Sequence, residues 1–241
     1  MALLNQSSCY LAITAGQKAD MKHLGLEIGE NFCKITVPFL YPVFCAPTVQ
    51  GHTITYLITA DGSITVSMEY PGLSGMPSVP AFGMEFKLKE RFDRMRYYGA
   101  GPEENYIDRD CGARIGVFET TAEDNYSAYL KPQECGNRTK LRWLSVTDET
   151  GDGLRFEADG QLLEGSLLPY SALEMEHAML ADELPDHPYN YLRILGAQCG
   201  VGGDDSWGAP IHEEYLVPGD RKISFSFRIV HQKKEAEVRP Q

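Results

Sequence analysis

The sequence predicts an all-β protein built from large antiparallel sheets packed face to face, with one short helix. Three observations carry this. Apolar and polar side chains alternate with a two-residue period along most of the chain. Strand-like runs bounded by turns return every 8–12 residues or so, the spacing of a β-sandwich. Helix signals are few.

The elements follow in order. "TITYLIT" (53–59) and "SITVSMEY" (63–70) flank "ADG" and read as a hairpin, with Asp61 and Gly62 supplying the positive φ of a tight turn. Gly and Pro then cluster at 71–82, a long connection between sheet layers or between subdomains. "MEFKLKE" (84–90), "KLRWLSVT" (140–147) and "KISFSFRIV" (222–230) each alternate as half-buried strands. In the last of these Phe225, Phe227 and Ile229 share one face. Trp143 lies in such a strand, alternates with Leu141 and is expected in the core. "GLRFEADGQ" (153–161) is a strand ending in a turn. "PYSALEMEHAMLADEL" (169–184) is the one helix, near 170–184, with Ser171 and Glu174 as a capping box and Pro185 as its stop. Residues 1–50 are expected to add strands to the same sandwich, 50–232 to form one domain, and 233–241 to be a charged tail.

The 241 residues, 43% apolar and 23% charged, suit a globular protein with a substantial core. The net charge of −12 excludes a broad basic surface for nucleic acid or anionic membranes. It suits a neutral partner such as a sugar, but an ordinary acidic surface accounts for the charge with nothing more and is favoured. Cys9, Cys33, Cys45, Cys111, Cys135 and Cys199 form no C-x-x-C pair and are expected as free, mostly buried thiols. The first residues carry no basic, apolar leader, and no apolar run approaches the ~18 residues of a membrane span. A cytoplasmic location is the expectation.

Four stretches hold candidate chemistry. In "YYGAGPEENYIDRD" (97–110), Glu103, Glu104, Asn105, Tyr106, Asp108 and Arg109 could face a sugar or brace a turn; bracing is favoured. In "PQECGNR" (132–138), Asn137 and Arg138 could meet a partner or brace a strand, and bracing is again favoured. His177, His187 and His212 are scattered, with no spacing that suggests a metal site. The fourth stretch is "GVGGDDSWGAP" (200–210). Trp207 sits among glycines beside Asp204, Asp205 and Ser206. An indole suits the C–H face of a pyranose, and carboxylates accept from hydroxyls. A turn whose Trp folds back as a lid on the sandwich edge fits equally well.

"YYGAGPEENYIDR", "PQECGNRTKLRWL", "LPYS" (168–171) and "GVGGDDSWGAP", in that order, resemble the C-terminal, small-chain domain of lac-type β-galactosidases of glycoside hydrolase family 2. The similarity runs from about Met84 to Ile229, and the hairpin from about residue 50 resembles the start of the same domain. It implies a galactose-mutarotase-like β-supersandwich. It implies that the catalytic glutamates lie on a separate (β/α)₈ barrel, so this chain supplies no catalytic residue and no metal site and needs the remaining domains or a large subunit. It implies that Trp207 reaches the aglycone side of a galactoside site, its loop shaped by Asp204, Asp205 and Ser206. The resemblance allows Mg and Na for the complete enzyme, on other domains, and leaves a homo-oligomer open. Cys135 stands where relatives often carry Asn, and Ala100, Glu103 and Ile107 depart from "GRGPHENYPDR", which changes that loop's polarity and its expected contacts with neighbouring domains. Two other functions stay in view: a free-standing aldose epimerase using His187, and a carbohydrate-binding module.

Overall fold

A computed structural model describes residues 18–41, 49–205 and 207–232; the tail expected at 233–241 lies outside them. In chain order the strands are β1 (Lys18–Ala19), β2 (Gly25–Ile28), β3 (Phe32–Tyr41), β4 (Val49–Thr59), β5 (Ile64–Tyr70), β6 (Ala81–Lys89) and β7 (Arg94–Gly101). They continue with β8 (Arg114–Thr121), β9 (Arg138–Leu141), β10 (Trp143–Thr147), β11 (Gly153–Asp159) and β12 (Leu163–Leu168). Helix α1 (Ala172–His177) follows, then β13 (Tyr189–Gln198) and β14 (Ile223–Gln232). The described strands form two antiparallel sheets. The larger runs β1-β3-β4-β5-β14-β11-β10-β7-β8, with β2 also on β3; the smaller runs β6-β13-β12-β9.

The core lies between the sheets. Val66, Met95, Tyr97, Phe156 and Phe227 of the large sheet meet Leu141, Leu163, Leu167 and Leu192 of the small one, each 1% exposed or less. Burying each such side chain contributes about 1.5–3 kcal/mol. Alternation decides which residues enter: Phe225 and Phe227 point in from β14, while Ser224 is exposed. The Gly/Pro stretch after β5 carries the chain from the large sheet to the small one.

Several local expectations are corrected. In the β4–β5 hairpin only Gly62 has a positive φ, of 81°. Asp61 acts instead through its carboxylate, which accepts from Thr59 Oγ1 at 2.6 Å, the Ser63 amide at 3.0 Å and Ser63 Oγ at 2.8 Å. The single strand expected at 140–147 is two. β9 belongs to the small sheet and β10 to the large, and the chain changes sheets at Arg142. Lys140 takes a left-handed φ of 56° on the way. The change of sheet turns both Leu141 and Leu144 into the core and leaves Trp143 on the outer face, half-buried beneath the Arg155 guanidinium at 4.2 Å. Trp143 is therefore not a core residue. Helix α1 has the expected capping box, with the Ser171 hydroxyl accepting from the Glu174 amide. It ends at His177, well before Pro185, and a 3₁₀ turn (Ala181–Glu183) follows. The four described cysteines are free: Cys135 and Cys199 are buried, Cys33 half-buried and Cys111 exposed.

Candidate functional site

The loop after β13 is fastened at both ends and bent by glycines. The Cys199 amide donates to the Pro80 carbonyl at 2.9 Å and the Gly200 amide to the Tyr215 carbonyl at 2.8 Å. The Gly202 amide donates to Asp108 Oδ2 at 2.8 Å, which ties the loop to the segment after β7. A side chain at Gly200 would collide with the Asp108 carboxylate, and one at Gly203 with the Ala209 carbonyl. Asp205 Oδ1 accepts from the amides of Trp207 at 2.8 Å and Ala209 at 3.3 Å, an Asx-type closure of the turn. Asp204 Oδ1 lies 2.8 Å from His212 Nε2. Gly208 takes a φ of 98°.

This scaffold presents Trp207 outward. The residue is 94% exposed, so the lid folded against the sandwich edge is ruled out. Ser206, the remaining residue expected at this site, lies outside the described residues. Asp204 and Asp205 hold the loop's own shape, and the large side chain the loop leaves exposed is the indole.

The neighbouring motifs brace Asp108. The Tyr106 and Arg109 backbones exchange hydrogen bonds at 3.1 and 2.9 Å, closing a tight turn with Asp108 inside it. Buried Asn105 donates to the Ala100 and Glu103 carbonyls at 3.0 and 2.9 Å and accepts from the Thr139 amide and hydroxyl at 3.0 and 2.6 Å. Glu104 accepts from Arg109, from Tyr129 Oη at 2.9 Å and from the Gly136 amide at 2.7 Å. Arg138 Nε donates to Tyr97 Oη at 2.8 Å, and Asn137 Nδ2 donates to Glu164 Oε2 at 2.8 Å. The bracing role expected of these two motifs is what the geometry shows.

Under this network lies a buried ionic cluster that strand alternation did not reveal. Arg193 on β13 grips Glu134 with both terminal nitrogens and donates from Nε to Ser166 Oγ at 3.1 Å. Burial pushes the Glu164 carboxyl up to about 7, and the nearby Glu134 adds to the rise; Asn137 and Arg193 oppose it. Burial also raises the Cys199 thiol, to about 11, at the root of the Trp207 loop.

The histidines stay apart. His212 is engaged with Asp204 as above, His177 closes α1, and His187 packs edge-on against Tyr170 with Glu123 at 3.8 Å. Among the described residues no three His, Cys, Asp or Glu side chains are grouped to hold a metal ion.

Residues 12–229 match the β-galactosidase small chain family. The chain is 41% identical over 205 residues to the β-galactosidase BgaC of Bifidobacterium adolescentis, a match covering 83% of this chain and 19% of that protein. It is 40% identical over 208 residues to a β-galactosidase of Lactobacillus delbrueckii subsp. bulgaricus, covering 86% of this chain and 20% of that one. A β-galactosidase small subunit of Latilactobacillus sakei is 34% identical over 210 residues, with 83% of this chain and 65% of the relative covered. The chain thus spans about a fifth of the long relatives. Among solved structures, a galactose mutarotase related enzyme from Lactobacillus acidophilus aligns over 89% of this chain and 73% of its own, with a TM-score of 0.35 and 8% identity.

Proposed function

The chain belongs to the β-galactosidase small chain family, and from that premise we propose that it is the C-terminal domain or small subunit of a larger glycoside hydrolase family 2 enzyme that cleaves terminal β-D-galactosides. In this reading the acid and nucleophile glutamates lie on a barrel domain outside this chain, which supplies no catalytic residue, cofactor or metal. Trp207 stands on the aglycone side of the galactoside site, and the complete enzyme works in the cytoplasm.

One observation carries the reading: an almost fully exposed indole on a loop held by hydrogen bonds at both ends. Holding a large apolar ring in water is unfavourable, and ordering it before binding lowers the entropy lost when a ligand stacks on it. The flat face suits the C–H face of a sugar leaving group. The chain's own contribution is then to bind and orient that group and to exclude water from one side of it.

The test is turnover of a chromogenic β-galactoside by the chain alone, by a large β-galactosidase subunit of this family, and by the mixture. The isolated chain should be inactive and the mixture active. Trp207→Ala should lower kcat/KM of the mixture by about 10- to 100-fold, as expected for loss of one aromatic platform. Turnover by the isolated chain, or an unchanged Trp207→Ala mixture, would refute the assignment.

A further inference from the structure

The two sheets are unequal, and the apolar lining between them runs out past the smaller one. One cross-strand row shows this. At Tyr97, Leu144 and Phe156 it is sealed by the small sheet. Through Ile229 and Ile64 it passes to Ile58, Cys33 and Ile28, each directly opposite the next. The side chains stay apolar while the cover thins: Phe156 is fully buried and Ile28 is 74% exposed. The next row behaves the same way, from fully buried Val66 through half-buried Tyr56 and Ile35 to Leu26, 61% exposed. Met21, Leu24 and Phe32 are exposed close by. Beyond β2 no further strand pairs among the described residues, so its outer edge also offers unpaired backbone groups.

We propose that this continuation of the core face, on β2, β3 and β4, which the described residues leave uncovered, is the seat for the large part of the β-galactosidase. The inference rests on the subunit reading above. A contiguous apolar face of this kind marks an interaction surface. Its occupant follows from the relatives. In the long ones the matching region is about a fifth of one polypeptide, so the rest of the protein is tethered to it by the chain itself. In the Latilactobacillus sakei relative, named a small subunit, no peptide bond joins the region to the rest, and association there depends on buried surface alone. A second copy is a poorer occupant, because two chains of net charge −12 repel. The seat is distinct from the Trp207 loop: one holds the partner, the other enters its site.

Cys33 is half-buried in the thinning part of the row, directly opposite exposed Ile28, and reports on it. The full-length chain is treated with iodoacetamide, with and without a large β-galactosidase subunit of this family, and alkylation of Cys33 is followed by peptide mass spectrometry. Cys33 should react in the free chain and slow at least about 10-fold in the mixture. In parallel, binding of the Leu26→Glu/Ile28→Glu variant is measured by sedimentation. It should weaken at least about 100-fold, with far-UV circular dichroism and the thermal midpoint unchanged. A wild-type complex in which Cys33 stays reactive and the double variant binds normally would overturn the seat and leave the subunit reading standing. A wild-type chain that binds no large subunit would overturn both. Cys33 already protected in the free chain would mean that the chain covers the face itself. A wild-type dimer abolished by the double variant would assign the face to a second copy. Either result overturns the proposal.

Discussion

Asp108 holds the Trp207 loop from 94 residues away in sequence. Its Oδ2 accepts from the Gly202 amide, while its Oδ1 is buried without a hydrogen-bond partner. The loop is therefore fastened by one bond at its middle, and that bond costs little global stability to remove. Asp108→Ala should lower stability by no more than about 1 kcal/mol, the net worth of one such hydrogen bond. It should raise hydrogen exchange at the Gly202 amide at least 10-fold or so, as expected for local opening. Unchanged exchange at Gly202 would show that the loop is held by other means. The loop itself was legible in the sequence, because a Trp among glycines and aspartates has no core to enter. The clasp was not: nothing in the local pattern around Asp108 names a partner so distant. The same holds for Glu134, Arg193 and Glu164. Glu134 lies in the loop before β9, and alternation turns Glu164 on β12 and Arg193 on β13 outward, yet the outer face of the small sheet is itself covered by the chain around Cys135 and Met175. Alternation tells which residues share a face and is silent on whether that face meets water.

At the scale of elements, β4, β5, β6, β11 and β14 were visible, whereas β7, β8, β12 and β13 were not named from the sequence and the junctions were not legible either. The run from Lys140 to Thr147 alternates with one slip, the adjacent apolar pair Trp143 and Leu144, and a two-residue period alone does not tell such a slip from a bulge within one strand or from the change of sheet at Arg142. Helix α1 was read at its start, where Ser171 and Glu174 act locally, and overextended at its end. Only Met175 of the helix is buried, and Met179 and Leu180 beyond it are exposed, so no apolar stripe pays for further turns. Gly196 is a second junction. It sits where the β13–β6 register shifts, between Leu195 and Ala197, and a methyl group there would collide with the Phe225 ring. That ring packs on Phe82 and Phe227 and has little room to move. Gly196→Ala should therefore destabilise the fold by about 1–3 kcal/mol, the usual cost of overpacking. In a Phe225→Ala background the same change should cost much less, and urea unfolding of the four proteins in the cycle measures the coupling. Additive effects would show that the strain lies in the backbone of the bulge rather than against the ring.

For the molecule as a whole, the ten-stranded and the four-stranded sheet of the described residues bury groups able to titrate, His52 between them and Glu164 on the covered outer face of the smaller one. Two of these oppose each other. Burial holds His52 at about 4, with its ring stacked on Phe39 at 4.4 Å, and holds Glu164 at about 7. The unfolded histidine takes up its proton near 6.5 and the folded one near 4, so the His52 contribution is complete above about 6.5 and is lost as pH falls through 4. The carboxyl behaves in the opposite sense. Its folded pKa is raised, so the Glu164 contribution is complete below about 4.3 and is lost as pH rises through 7. Across the shared window, from about pH 4.5 to 6.5, the two slopes cancel, and wild-type stability should change little on their account. Glu164→Gln keeps an acceptor for Asn137 Nδ2 and removes one of the two slopes. At pH 8 it should be more stable than wild type by up to about 3 kcal/mol, at 1.36 kcal/mol for each pKa unit. The advantage should shrink towards zero near pH 4.5, where Glu164 is already neutral. Urea denaturation of both proteins at pH 4.5, 6 and 8 decides the matter. A difference that does not vary with pH would mean that Glu164 is ionised in the fold throughout, and that Arg193 outweighs its burial.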